Sequence, residues 1–222
     1  MAALSELRAG VQGKCQDPDG IHYTSVLVDG YLNEILLQAC KELRLLRATF
    51  SGGVTPGALY DLSAITDPDL TVLEVMRVWW NDQELTYLTG DEMAAMSGYP
   101  TEEGTPVYYG REMAGFSGLR FHPIPNADAV VDAVVAIEYI GAAIPLAADD
   151  DVPGIPIEYH DALIDGATAL AFEDDVPIAQ QAKAPKFWAK YQAKAAHAAA
   201  LVSANFQLKP AGSRRQIRRA GV

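Results

Sequence analysis

Apolar residues recur at three- and four-residue steps near both ends of the chain and at two-residue steps in its middle. Residues 3–14 read as a short helix and 24–47 as a long one. In the long one Val28, Leu32, Ile35, Ala39, Leu43 and Leu46 make one apolar stripe, with Asp29, Glu34, Lys41 and Arg44 largely off it. That is the pattern of a helix packed in a bundle. SGGVTPG at 51–57 is turn material, and short β-like runs follow at 58–62, 71–80, 85–88, 105–113, 118–122 and 129–140. The last run alternates, with Ala129, Val131, Ala133, Val135, Ile137 and Tyr139 on one face and Asp132 and Glu138 on the other. Residues 81–84 read as a hairpin connection and 91–97 as a short helix. From Pro156 the period is helical again: Tyr159, Leu163, Gly166 and Leu170 form a stripe to about Phe172. A last helix carries Trp188, Tyr191, Ala195, Ala198 and Val202 in register. Pro185 belongs near its first turn, because an interior proline costs about 3 kcal/mol.

Helices first and last with strands between them predict an α+β fold: a helical bundle formed by N- and C-terminal helices, carrying an inserted antiparallel β-domain. The expected boundaries are bundle helices at 1–50, the β-domain at 51–148, bundle helices at 149–208 and a basic C-terminal arm at 209–222.

Charge sharpens this picture. The formal net charge of −12 argues against a general nucleic-acid coat, since phosphate binding needs a basic surface. Five of the 17 basic residues, Lys209, Arg214, Arg215, Arg218 and Arg219, lie in the arm, which has no acidic residue. The other twelve face 29 acidic residues, so residues 1–208 carry −17. The two cysteines, Cys15 and Cys40, lack CxxC spacing and read as reduced thiols. The start MAALSELRAG has no apolar run of signal-peptide length, and the stretch 133–146 is broken by Glu138, Gly141 and Pro145. A soluble protein with no membrane span is the expectation.

Candidate chemistry concentrates at DDDVPGIPIEYHDALIDG, residues 149–166. Glu158, His160 and Asp161 could serve a metal-dependent hydrolase together with the aspartates at 149–151. Zinc, however, needs ligands three or four residues apart on a helix, and no second histidine stands at either spacing. The aspartate run also lacks the alternation of a calcium loop. A helix start explains more: Pro156 suits a first turn, and Glu158 and Asp161 favour the positive N-terminal end by about 0.3–1 kcal/mol each. At 115–119, Leu119 stands where a nucleophile elbow needs glycine, and SGGVTPG lacks the Gly-Lys-Ser/Thr of a phosphate loop. His22, His122 and His197 have no evident partners. No enzyme, metal or cofactor is expected. Lys183, Lys186, Lys190 and Lys194, continued by His197, make a basic edge on the last helix. It is either a solvated face or the complement of an acidic one: the edge of Glu158, Asp161 and Asp165, or a neighbouring subunit.

The succession DGYLNEILLQACKELRLL, YDLSAI, LEVMRVWWN, GTPVYYG, LRFHPIPNAD, AVVAIEYIGAAIPLAADDD and PGIPIEYHDALIDGATALAFEDD resembles the head–tail adaptor (connector) proteins of tailed bacteriophages over most of residues 20–205. The resemblance implies a structural virion protein made in the host cytoplasm. Such adaptors form a ring, commonly of twelve copies, under the portal and join it to the tail tube or nozzle, leaving a channel for DNA. The partners implied are further copies of the chain, the portal and a tail protein, with DNA only as cargo. Portal docking typically falls to a C-terminal segment, here Lys209, Arg214, Arg215, Arg218 and Arg219 by position and chemistry. Lys183, Lys186, Lys190 and Lys194 are the candidate subunit interface. A neck-completion or tail-tube protein is the alternative within the same class.

Overall fold

The computed structural model describes residues 2–57, 59–65, 67, 69–111, 118–174 and 181–207, without the side chains of 64 and 202–207. Among these the helices are α1 (Leu4–Lys14), α2 (Ser25–Leu43), α3 (Gly90–Ala94), α4 (His160–Glu173) and α5 (Ala184–Gln207). The strands are β1 (Leu46–Gly53), β2 (Leu59–Asp61), β3 (Leu70–Trp80), β4 (Gln83–Glu84), β5 (Thr86–Tyr87), β6 (Tyr108–Arg111), β7 (Gly118–His122) and β8 (Val134–Ala143). The fold is α+β, with helices from both ends of the chain and predominantly antiparallel sheets between. The chain divides into two units, Met1–Gln38 with Pro145–Val222, and Ala39–Ile144.

In the helical unit α4 is the central element. Ten of its residues are buried, and most are small: Ala162, Gly166, Ala167, Thr168, Ala169 and Ala171. Small side chains let neighbouring backbones approach. A Cβ at Gly166 would lie 2.8 Å from Cγ2 of Ile35, so α2 packs where only glycine fits. α1 buries Leu4, Leu7 and Val11, and α5 buries Tyr191, Ala195 and Ala198. Pro185 stands in the first turn of α5, where no helical N–H is lost. The start of α1 is docked by its backbone: Leu4 N and Ser5 N donate to the carbonyls of Asp151 and Asp149 at 2.8 and 3.1 Å.

The second unit holds two four-stranded sheets, ordered β1-β8-β3-β4 and β2-β7-β6-β5. All pairings are antiparallel except the short β5–β6 pair. Both sheets contribute to one core that includes Tyr60, Val78, Trp80, Leu119, Phe121, Val135, Ile137 and Tyr139. Phe121 takes Trp80 and Tyr60 edge-on at 5.7 and 6.3 Å between ring centres.

Two elements differ from the sequence expectation. The helix predicted over 24–47 ends at Leu43; Arg44 has φ +49°, and β1 begins two residues later. β1 reaches Gly53, into the stretch read as turn. Leu43 and Leu46 satisfy a helical step, which hid the two-residue alternation of the strand: Arg47, Thr49 and Ser51 are exposed, while Leu46, Ala48 and Phe50 are half-buried. β8 begins at Val134 rather than 129. Asn126 Oδ1 accepts the Ala129 amide, Asp132 has φ +55°, and Val131 is 68 % exposed, so residues 126–133 turn before the strand. Val135, Ile137 and Tyr139 still share the inner face.

Candidate functional site

The residues at 149–166 close the helical unit on itself. The Asp151 carboxylate accepts the amides of Ala147 and Ala148 at 2.7 and 2.8 Å, and these bonds hold its pKa below the ordinary carboxylate value. Asp149 pairs with Arg8 at 2.9 Å, while the same guanidinium grips Asp29 through Nε and Nη2, each at 2.8 Å. Arg8 thereby ties α1 to α2 and to the loop before α4, and the bond to Asp29 chiefly raises its pKa.

Glu158 belongs to a 3-10 turn, Ile157–Tyr159, that precedes α4. His160 is buried, with Nε2 3.3 Å from the carbonyl of Ile155. A carbonyl can only accept, so Nε2 carries the proton. Burial lowers the pKa of the ring, which favours neutral imidazole. Asp161 lies exposed in the first turn of α4. Among the described residues no three His, Cys, Asp or Glu side chains are grouped as a metal ion would need. Cys15 and Cys40 are buried.

Asp165, expected on an acidic edge that could complement the lysines of α5, does meet one of them, but its side chain is only 1 % exposed and it has a second partner that the sequence does not reveal. Oδ1 lies 2.6 Å from Lys14 Nζ and Oδ2 lies 2.6 Å from Lys194 Nζ. Burial alone would push this carboxyl up. The hydrogen bonds and charges of the two lysines outweigh it and leave the pKa below the ordinary value. The ionised carboxylate therefore ties α1, α4 and α5 together. A lysine in the last turn of α1 carries no sign of this pairing; only the fold brings it to α4.

The basic edge of α5 divides accordingly. Lys194 is committed within the unit to Asp165 and also donates to the carbonyl of Asp161 at 3.3 Å. Lys183, Lys186 and Lys190 are exposed. Lys183 Nζ lies 5.3 Å from the centre of the Phe172 ring and Lys190 Nζ 4.6 Å from that of Phe187. The arm residues Lys209, Arg214, Arg215, Arg218 and Arg219 lie outside the described residues.

Among the described residues no helix is long and apolar enough to cross a membrane. No curated protein matches the chain. A family model described as SU10 adaptor protein matches residues 2–218, nearly the whole chain. With the terminal helices and the strands between them in the order that resembles the phage head–tail adaptors, this match shows that the chain belongs to the SU10 adaptor protein family.

Proposed function

We propose that this protein is the head–tail adaptor of a tailed bacteriophage, a closed ring of twelve copies that joins the portal to the tail tube or nozzle and leaves a channel for DNA. Membership of the adaptor family supports a structural part in joining a phage head to its tail, as a virion component associated with head and tail proteins. The near-full-length family match is the observation that carries the reading.

Three features give it a physical basis. A body carrying −17 over residues 1–208 repels phosphate, so a channel lined by it lets DNA slide as unspecific cargo. Lys209, Arg214, Arg215, Arg218 and Arg219 form an arm whose guanidinium forks suit carboxylate-lined crevices on the portal. Lys183, Lys186 and Lys190, with Lys194 at the end of the row, supply a cationic edge for the acidic flank of a neighbouring subunit. A cyclic ring uses head-to-tail contacts that close on themselves, and such contacts need two different, complementary edges.

The test is to mix the protein with its cognate portal and image the product by electron microscopy. Stacked rings are expected, and a chain lacking 209–222 should fold normally but dock poorly. Absence of any association at modest salt would overturn the adaptor assignment. Unchanged docking of the truncated chain would overturn the role of the arm.

A further inference from the structure

A sheet edge exposes unpaired N–H and C=O groups, and proteins guard such edges with bulges, charges, prolines or very short strands. In the strand-rich unit the second sheet ends in β2 and β5, of three and two residues. The first sheet ends on one side in the two-residue β4, and the outer side of β3 next to it is guarded from Val75 onward. Arg111 Nη2 donates to the carbonyl of Val75 at 2.9 Å, Tyr109 Oη to that of Met76 at 3.4 Å and Leu85 N to that of Val78 at 2.8 Å. The register with β8 also slips between Val72 and Glu74 and again between Val75 and Arg77, which leaves Leu70–Val72 as the regular start of the strand. β1, at the other end, differs on every count. It is eight residues long, pairs with β8 in unbroken register from Leu46 to Gly53, contains no proline and carries one charge, Arg47. Among the described residues nothing hydrogen-bonds to its outer side.

We propose that β1 is a docking edge that pairs with the open start of β3, residues 70–72, in the next copy of this chain, so that the sheet runs on from subunit to subunit. This rests on the ring reading and names the contact that would build it. The outer side of residues 70–72 bears no strand among the described residues and borders a cleft of about 410 Å³ lined by Leu62, Ile65, Asp67 and Arg111. β1 and β3 are both antiparallel to β8, so they run in the same direction. The small rotation between neighbours in a many-membered ring preserves that direction, and β1 meets the next β3 in parallel. Parallel pairing brings the two N-terminal ends together, and these ends are opposite in charge. Arg47 is exposed at the start of β1 and makes no ion pair among the described residues. Asp69 is exposed just before Leu70, the first residue of β3. A second copy thus offers both a strand for the open edge and a carboxylate for the unpaired guanidinium. The two edges differ, so the contact is heterologous and can close a ring.

The test uses the full chain with its portal and compares wild type with R47D, D69R and the double variant R47D/D69R. Folding is checked by circular dichroism, assembly by native mass spectrometry and strand pairing by hydrogen exchange. Each single reversal should fold but weaken the subunit contact by about tenfold or more, the double should recover it, and backbone amides of β1 should gain protection only on assembly. If R47D builds the same ring as wild type, the strand contact is wrong while the ring reading stands. Failure of the double variant to recover, or no gain of protection in β1 of assembled wild type, overturns the contact as well. Assembly that stops at two copies would show β1 pairing with itself and overturn the chosen occupant. Wild-type chains that never associate with each other or with the portal overturn both readings.

Discussion

Replacing Asp165 by Asn removes one negative charge and leaves the shape of the side chain. Its two oxygens hold Lys14 and Lys194 at 2.6 Å each, in a position where the carboxylate itself meets almost no water. A hydrogen bond to a charged group contributes about 1.5–3 kcal/mol, and breaking a fully buried ion pair costs about 3–5 kcal/mol. The lysine side chains are 31 and 41 % exposed, so each ammonium can turn to water when its partner is lost. That discount puts Asp165→Asn at about 2–3 kcal/mol, roughly a 30-fold to 150-fold shift of the folding equilibrium. Urea denaturation followed by helical circular dichroism reads it, with Asp161→Asn on the exposed side of the same turn as control, expected within about 0.5 kcal/mol of wild type. The pH dependence supplies a second check. The folded carboxyl titrates below its ordinary value, so its contribution is complete above the unfolded pKa and is lost as pH falls through the folded one. The gap between wild type and Asp165→Asn should therefore narrow on acidification below about pH 4. A variant as stable as the control at neutral pH, or a gap that stays constant in acid, would refute the argument that this carboxylate ties three helices.

Two further predictions concern packing and an alkaline transition. Gly166→Ala should destabilise by about 1–3 kcal/mol despite the better helix propensity of alanine, because the new methyl group meets Ile35 Cγ2 at 2.8 Å. Gly30→Ala, in α2 with open space around the added carbon, should instead stabilise by about 0.5–1 kcal/mol; equal effects at the two sites would contradict the packing argument. Tyr139 donates to Asp67 Oδ2 at 2.9 Å, and burial, reinforced by that bond, pushes its pKa up to about 12. A phenol whose folded pKa is raised contributes fully below its ordinary value near 10 and loses that contribution as pH rises through the folded one. Tyr139→Phe should cost about 1 kcal/mol at neutral pH and flatten the stability curve between about pH 10 and 12; an unchanged alkaline decline would count against it.

The parts of the fold legible in the sequence are those where one periodicity held over several turns. α1, α4 and α5 begin within a few residues of expectation, and β3 and β7 follow their apolar runs, because long stretches average out local ambiguity. The misreadings occur where two periods agree by coincidence. Leu43 and Leu46 extend a helical stripe and also precede an alternating strand, so nothing local marks the change at Arg44. Residues 129–133 continue the alternation of β8 backwards into a turn, and the turn is set by the Asn126 side chain and the left-handed Asp132 rather than by hydropathy.

The candidate site was legible in composition but only half legible in pairing: Lys194 meets Asp165, one of the complements expected for its edge, whereas Lys14 was hidden, for a related reason. Lys14 and Asp165 are 151 residues apart, and no pattern within one helix reveals a partner on another. Pairing, once known, changes the meaning of the acidic surplus. Lys14, Lys194, Arg8, Arg44, Arg77 and Arg111 each meet at least one carboxylate inside their own unit. Among the described residues Lys41, Arg47, Lys183, Lys186 and Lys190 make no ion pair, although the body holds far more carboxylates than cations. Each such cation on one copy faces surplus carboxylate on any other copy, and the attraction acts only where shapes bring the surfaces together. The unpaired cations lie on two surfaces, the exposed edge of α5 and the end of α2 with the start of β1. These are the surfaces from which the proposed ring draws its lysine interface and its strand contact, and a head-to-tail ring requires such unlike edges to be satisfied by another subunit.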